Sequence, residues 1–188
     1  MTFRQKGFTI VELIVAMAIM IIVMHLGVSS LKTMTLRSHM TTHVNEFVTM
    51  QRMARQFALN HKANVTFCAS IDGLACVSKK HWNEGALIFV DRNGNRKVDS
   101  DDKIVRFFQS NSKNLRVTWR AFQNKSYLQY TANGWTNNQN GTFRFCFANE
   151  SARFNRAVIV TKIGRTRLSK DNDGDGFHED REGNLIAC

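Results

Sequence analysis

The chain has 188 residues, no proline and a formal net charge of +11. Since a domain usually has roughly 100 to 200 residues, this length argues against a second large domain and favours one globular domain with an N-terminal helix. The positive charge says nothing about the fold, but it favours anionic partners. The histidines are scattered and no serine or cysteine lies in a nucleophile motif, so we do not expect an enzyme.

The first predicted element is an apolar helix behind a short basic leader. Residues 8–28 comprise 21 positions, and the only formal charge among them is Glu12. At about 1.5 Å of rise per residue such a run can cross a bilayer, so we predict a transmembrane helix over residues 8–30. A carboxylate one turn into lipid costs on the order of 2.5 kcal/mol, so Glu12 requires a partner. An ordinary signal anchor would explain the run but not Glu12, Gly7 or the leader.

These residues together resemble a known signal. The basic leader, Gly7, Phe8 and Glu12 are similar to the prepilin signal of type IV pilins and type II secretion pseudopilins, and no A-x-A cleavage site follows the apolar run. The resemblance implies that residues 1–7 are removed by a prepilin peptidase, which cuts after Gly7 and methylates the new amino terminus at Phe8. It also implies that Glu12 pairs with the terminal ammonium of a neighbouring pilin during assembly.

The same resemblance implies a cellular location. Because the basic leader holds the N-terminus in the cytoplasm, we expect a single-pass protein of the bacterial inner membrane with its C-terminal domain in the periplasm. Assembly with other pilins would then export the protein to the cell surface in a pilus filament.

Beyond the apolar run, helical spacing of apolar residues continues over residues 31–61 and predicts an amphipathic half of the same helix. After Ala63 the pattern changes to short alternating runs divided by turn signals such as Asn93-Gly94 and Ile163-Gly164. We predict strands over residues 65–68, 86–90, 104–108, 115–122, 127–130, 143–147, 156–162 and 166–169. The predicted fold class is therefore α+β: a long N-terminal helix, half transmembrane and half amphipathic, packed on an antiparallel β-domain over residues 62–170, as in type IV pilins.

Four cysteines lie after the predicted membrane helix, on the oxidising side, where an even number indicates disulfides. Three pairings are possible. We favour Cys68–Cys76, which closes a short loop, together with Cys146–Cys188, which fastens the C-terminus to a strand. A zinc site is the alternative, and it lacks CxxC and HxxxH spacing.

The segment from Trp82 to Gly94, the cysteine pair before it and the pattern Gly164-Arg165-Thr166-Arg167 are similar to the FimT/GspH branch of minor pilins and pseudopilins. In FimT-type pilins of competent bacteria, the GRxR pattern is associated with binding DNA for uptake. Residues two apart in a strand face the same side, so Arg165 and Arg167 can both reach one phosphate backbone. Residues 103–170 include 13 Lys or Arg and one acid. The predicted DNA-binding residues are Arg165, Arg167, Gly164, Lys162, Lys170, Arg144, Arg153 and Arg156.

We therefore predict a minor type IV pilin that binds DNA non-specifically, through phosphate, during natural transformation. Two alternatives stay open. The first is a GspH-like minor pseudopilin that acts in pseudopilus assembly in a type II secretion system and binds only other pilins. The second is a pilus adhesin whose arginines bind acidic glycans or lipid headgroups. Trp119, Tyr130 and Trp135 could stack on bases, but most of them are expected in the core.

The final segment, residues 171–188, holds six acids and one arginine, and residues 171–182 match the calcium-loop pattern D-x-D-x-D-G-x5-E. No helices are predicted beside it, so this would be an isolated loop, and a flexible acidic tail is the alternative. Residues 91–95 begin in the same way, but Arg96 replaces the glycine, which makes them a weaker candidate. No other cofactor is expected. The expected calcium ligands are Asp171, Asp173, Asp175, the backbone of Phe177, Glu179 through water and bidentate Glu182.

Overall fold

The computed structural model describes residues 7–110, 112, 114–180 and 182–188, and of residues 25–29 it describes the backbone only. The predicted leader therefore lies outside the described residues, apart from Gly7. One helix, α1 (Ile10–His61), precedes eight strands. The strands are β1 (Val65–Ala69), β2 (Gly85–Val90), β3 (Lys103–Gln109), β4 (Leu115–Ala121), β5 (Tyr127–Tyr130), β6 (Gly141–Phe147), β7 (Arg156–Val160) and β8 (Thr166–Leu168).

The chain divides into two compact units, the first ending at His39 and the second extending from Met40 to Cys188. In the first unit, α1 begins with a capping box. The Glu12 carboxylate accepts a hydrogen bond from the Thr9 backbone N–H at 3.1 Å, and the Glu12 backbone N–H donates to Thr9 Oγ1 at 3.3 Å. Glu12 therefore has a partner within its own chain, and its pairing with a neighbouring pilin stays a prediction.

The helix continues through residue 30 without a break, because α1 is one helix of 52 residues. In the part of the chain that the structure describes, no helix combines the length and the apolar character needed to cross a membrane. The predicted transmembrane span over residues 8–30 is therefore not confirmed.

In the second unit, α1 buries a stripe of residues spaced three or four apart. Phe47 lies at its centre, with ring centroids 5.1 Å from Phe67 of β1, 4.5 Å from Phe143 and 5.2 Å from Phe145 of β6. Because β1 and β6 belong to different sheets, this part of α1 joins both sheets in one core. The other buried members of the stripe include Met40, Val44, Gln51, Ala54 and Ala58.

The strands form two antiparallel four-stranded sheets, in the orders β3-β2-β1-β5 and β4-β6-β7-β8. In the second sheet, Phe143, Phe145 and Phe147 are buried, as the alternation of β6 predicts. All eight predicted strands are confirmed. The predicted strand that continued to residue 162 ends at Val160, because the next residues form a turn.

Both predicted disulfides are confirmed, Cys68–Cys76 and Cys146–Cys188. The first packs beside Leu87 and Phe89 on the first sheet. The second attaches the last residue of the chain to β6, so the acidic C-terminal segment is covalently held against the second sheet.

Candidate functional site

The arginine hairpin consists of β7, the turn after it and β8. Ile159 is paired with Arg167, while Val158 and Val160 beside it are buried. Thr166 Oγ1 donates a hydrogen bond to Gln51 Oε1 of α1 at 3.3 Å, so Thr166 faces inward. Because side chains alternate along a strand, Arg165 and Arg167 lie on the outer face, and both are exposed. The structure therefore brings the two predicted arginines together.

The turn of this hairpin is held at both ends. The Thr161 backbone N–H donates to the Arg165 carbonyl at 3.0 Å, and the Gly164 N–H donates to the Thr161 carbonyl at 2.9 Å. Gly164 has φ +74°, and a Cβ placed there would lie 2.1 Å from the Gly134 carbonyl oxygen. Since no side chain fits in that space, the glycine allows two turns to touch.

The second turn repeats the pattern of the first. Its Thr131 N–H donates to the Trp135 carbonyl at 2.8 Å, and its Gly134 N–H donates to the Thr131 carbonyl at 2.7 Å. Arg55 of α1 connects the turns, because its Nε donates to the Gly134 carbonyl at 2.8 Å and its Nη2 to the Ile163 carbonyl at 3.2 Å. Trp135, 58% exposed, has the same place in its turn as Arg165 in the hairpin.

Sequence reasoning missed the importance of Arg55 and the place of Trp135 beside the hairpin. One signal was present: T-x-x-G occurs before both Trp135 and Arg165. The other two aromatic residues considered for stacking lie in the core. Trp119 stacks on Phe143, with ring centroids 3.9 Å apart, and burial raises the pKa of Tyr130.

The remaining predicted basic residues fall into two groups. Lys162, Lys170 and Arg153 are exposed, and the Arg153 guanidinium lies over the Phe177 ring, 5.4 Å from its centroid. Arg144 and Arg156 are half-buried.

The half-buried arginines hold the backbone. Arg144 Nη1 donates to the Ala187 carbonyl at 2.8 Å, and burial, with a contribution from Arg120, lowers the pKa of its guanidinium. Arg156 Nη1 donates to the carbonyls of Arg153 and Asn155. Contact of Arg144 and Arg156 with DNA stays a prediction, and both guanidiniums already donate to main-chain oxygens of their own chain.

The outer face of the second sheet carries further positive charge. Pairing places Arg120 beside Thr142, Thr142 beside Ile159, and Ile159 beside Arg167, so one row crosses all four strands. With neighbouring strands about 4.8 Å apart, the backbones of Arg120 and Arg167 at the two edges lie roughly 14 Å apart along this row. Their side chains can therefore contact different phosphates of one nucleic acid.

The acidic segment forms a loop at residues 171–182, here called the second loop. One carboxylate oxygen from each of Asp171, Asp173, Asp175 and Glu179 lies within 4.8 Å of the others. Gly176, the glycine of the calcium-loop pattern, has φ +89° and allows a sharp bend. The predicted ligand Glu182 is not in this group, because its backbone N–H donates to Asp180 Oδ1 in a separate turn. Glu179 takes its place in the cluster.

The second loop lies next to the hairpin. Arg167 and Lys170 share the lining of a cavity of about 250 Å³ with Asn172, Glu179 and Asp180. The acidic loop therefore adjoins the edge of the arginine surface.

The weaker calcium candidate, residues 91–102, is here called the first loop. Its Asp91 is fully buried, and Asp91 Oδ2 accepts hydrogen bonds from Thr66 Oγ1 at 2.8 Å, Gln129 Nε2 at 2.8 Å and the Arg96 N–H at 3.0 Å. Asp91 Oδ1 has no partner among the described residues. Arg96, at the glycine position, adopts φ +66°.

Two asparagines balance another carboxylate of the first loop. Asn93 Nδ2 donates to Asp99 Oδ2 at 2.8 Å, and Asn95 Nδ2 donates to the same oxygen at 2.6 Å. The hydrogen bond from Asn93, and to a smaller extent the one from Asn95, lowers the pKa of Asp99. Asp102 accepts from the backbone N–H groups of Arg92 and Asp99. Asp91, Asp99 and Asp102 of the first loop therefore each accept hydrogen bonds from their own chain, while Asp91 Oδ1 has no partner among the described residues.

Two family descriptions match the sequence. "Type II transport protein GspH" covers residues 43–164, and "Prokaryotic N-terminal methylation motif" covers residues 2–28. The GspH match ends at Gly164, so Arg165, Arg167 and the second loop lie beyond it. No curated protein matches the chain.

The structure is similar to two crystal forms of the type IV minor pilin FimU from Pseudomonas aeruginosa PAO1, each 19% identical in sequence. The first has a TM-score of 0.56 over 71% of this chain and 90% of FimU. The second has a TM-score of 0.48 over 69% of this chain and 92% of FimU. The first likeness confirms the predicted α+β pilin fold.

The methylation motif implies membrane anchoring, processing by a prepilin peptidase, association with other pilins and export to the pilus surface. Pilins and pseudopilins are structural proteins of filaments rather than enzymes. Since the GspH match extends over more than half of the sequence and the methylation motif precedes it, the chain belongs to the GspH/FimT family of minor type IV pilins and pseudopilins.

Proposed function

We propose that this minor pilin binds DNA non-specifically through its arginine hairpin during DNA uptake in natural transformation. The observation that carries the proposal is the placement of Arg165 and Arg167. Both are exposed on one face of a hairpin whose turn is fixed by the contact between Gly164 and Gly134 and by Arg55. Arginines on a fixed hairpin backbone lose less conformational freedom when they bind phosphate than arginines on a flexible tail.

The surface around the hairpin supports the same ligand. Lys162 and Lys170 are exposed at the two ends of the β8 segment, and Arg120 extends the positive charge across the sheet. Phosphate contacts of this kind carry no base information, so the binding would be independent of sequence. Trp135, exposed beside the hairpin, offers a ring on which an unpaired base can stack.

The test uses the full-length chain, purified in a non-ionic detergent with its disulfides intact, and a fluorescent DNA duplex. We expect Arg165→Gln with Arg167→Gln to weaken binding roughly tenfold at low salt. If each arginine neutralises one phosphate, the slope of log affinity against log salt falls by about 1 to 2 units. Fluorescence anisotropy over a series of salt concentrations measures both quantities.

A control variant removes the same charge elsewhere. Arg92→Gln with Lys97→Gln replaces two exposed basic residues of the first loop and should change affinity by no more than about twofold. Equal losses in both double variants would mean that net charge, rather than the hairpin, governs binding. Unchanged affinity and slope in the hairpin variant would place the DNA-binding surface elsewhere.

A second function is favoured by the GspH description itself. As a minor pseudopilin of a type II secretion system, the chain would act in pseudopilus assembly and need no DNA. This function predicts that the wild-type chain binds no duplex even at low salt but still associates with other pilins. A wild-type chain that binds acidic glycans or anionic vesicles and not DNA would instead indicate an adhesin.

A further inference from the structure

The second loop holds a concentration of negative charge at one place. Four carboxylates converge, and three of them are exposed. Among the described residues, this is the one group of at least three His, Cys, Asp or Glu side chains whose ligand atoms come together. Like charges at such short range repel one another, so the arrangement calls for a positive partner.

An acidic cluster alone would not identify a ligand, but Glu179 provides a separate observation. Its side chain belongs to a residue only 6% exposed, and its carboxylate lies in the cluster. Glu179 Oε2 accepts hydrogen bonds from Asn172 at 2.9 and 3.0 Å, whereas Glu179 Oε1 has no partner among the described residues. A buried carboxylate oxygen without a donor is costly unless a cation binds it.

The number and kind of ligands favour calcium over magnesium. Calcium takes about six to eight oxygen ligands, from carboxylates and backbone carbonyls, at about 2.3–2.6 Å. The four carboxylate oxygens lie within 4.8 Å of one another, so one ion can contact all four. Magnesium usually keeps several waters and is bound through about one or two carboxylates.

We propose that the second loop binds one calcium ion through Asp171, Asp173, Asp175 and Glu179. The backbone carbonyl of Phe177 stands at the position that supplies a backbone oxygen in loops of this spacing. Glu182 is not a ligand in this site. The proposal thus replaces the last ligand of the linear motif with a residue that the fold places in the cluster.

Calcium at this site would order the end of the chain. Glu179 forms backbone bridges with Lys170 and with Leu185, next to the buried Ile186. An ion bound by Glu179 is therefore linked through these bridges to β8 on one side and to the Cys146–Cys188 disulfide on the other. The expected role is to fix the acidic segment against the second sheet.

Calorimetric titration of the full-length chain, in detergent and freed of metal by a chelator, tests the proposal. We expect one calcium ion per chain, with a dissociation constant of about 0.1 to 1 mM, the range of extracellular calcium modules. Magnesium should bind more weakly. Absence of calcium binding up to about 10 mM would overturn the proposal.

Two matched variants test the ligand set. Glu179→Gln should weaken calcium binding at least tenfold, whereas Glu182→Gln, three residues away and with the same change of charge, should alter it by less than about twofold. Asp173→Asn changes an exposed ligand and should also weaken calcium binding. It replaces Glu179→Gln as the ligand variant if Glu179→Gln does not fold. A loss for Glu182→Gln as large as that for the two ligand variants would overturn the assigned ligands.

Discussion

The first loop and the second loop share three hydrogen bonds from backbone N–H groups to side chains, but they carry different charges. In each, the opening aspartate accepts from the N–H of the sixth residue at 3.0 Å: Asp91 from Arg96, and Asp171 from Gly176. In each loop, the side chain of the third residue accepts a hydrogen bond from the backbone N–H of the fifth residue. The side chain of the fifth residue accepts one from the backbone N–H of the seventh residue. The positive φ of the sixth residue is also shared, although it is arginine in the first loop.

The loops differ at their third and fifth residues. Asn93 and Asn95 use their amide groups to donate to Asp99, the ninth residue of the first loop. Asp173 and Asp175 hold the same places in the second loop and cannot donate, and the ninth residue there, Glu179, keeps an oxygen without a partner. Short polar side chains at the same spacing accept the same backbone hydrogen bonds in both loops. Under the calcium proposal, the third and fifth residues decide whether the carboxylates of the loop need an outside cation.

The formal charges agree with this difference. The first loop has four acids and three basic residues, whereas the second has six acids and one arginine. The non-glycine residue Arg96 at φ +66° costs on the order of 1 kcal/mol of backbone strain. Its guanidinium lies over the Tyr127 ring, 5.3 Å from the centroid, which offsets part of that cost.

The largest expected effect is a difference in stability between variants of Asp91 and Asp171, the first residues of the two loops. Asp91→Ala removes the acceptor of the Thr66 hydroxyl and of one N–H of the Gln129 amide, both buried, so we expect it to lower the free energy of unfolding by about 3 kcal/mol. Asp171→Ala, at an exposed residue, should cost less than about 1 kcal/mol in chelated protein. Denaturant unfolding of the full-length chain with chelator present measures both. Equal losses of unfolding free energy in the two variants would contradict the view that hydrogen bonds of its own chain hold the first loop.

A smaller effect connects the second loop to DNA. Arg167 shares a cavity lining with Glu179 and Asp180, so bound calcium would offset negative charge close to the hairpin. Charges this close are only partly screened at a Debye length of about 8 Å, so we expect calcium to strengthen duplex binding by about two- to fivefold. The Glu179→Gln variant is the control, and calcium should change its affinity for the duplex by less. Anisotropy with and without calcium, at constant ionic strength, measures the change.

The predicted effect of calcium on DNA binding rests on both proposals. An experiment can nevertheless contradict this effect while leaving each proposal intact. If calcium binds and DNA binds but neither alters the other, only the electrostatic coupling is wrong. If calcium weakens DNA binding in the wild type alone, the ion competes with the hairpin for phosphate, and the acidic segment does not act as proposed.

Much of the fold followed from local sequence. Alternation in β6 correctly placed Phe143, Phe145 and Phe147 on the inner face, and the same rule put Arg165 and Arg167 on one side of the hairpin. These predictions succeed because a strand fixes the direction of its side chains within a few residues.

What the sequence did not give depends on contacts between distant residues. Arg55 is 79 positions from Gly134, and nothing local indicates that its guanidinium joins two turns. The position of Glu182 outside the carboxylate cluster was not indicated by the sequence for a related reason. The calcium motif places its last glutamate on an outgoing helix, whereas here Asp180 accepts from the N–H groups of Glu182 and Asn184 and forms a turn.

The central claim is that the third and fifth residues decide the need for calcium, and exchanging them tests it most directly. Asp173→Asn with Asp175→Asn gives the second loop the amides of the first, which can donate to Glu179. Calcium at about ten times its dissociation constant should stabilise the wild type by about 1.4 kcal/mol of unfolding free energy. Chelation should therefore lower the Tm of the wild type by several degrees and leave the Tm of the variant unchanged. A variant that responds to the chelator as strongly as the wild type, or a wild type that does not respond, would contradict the account.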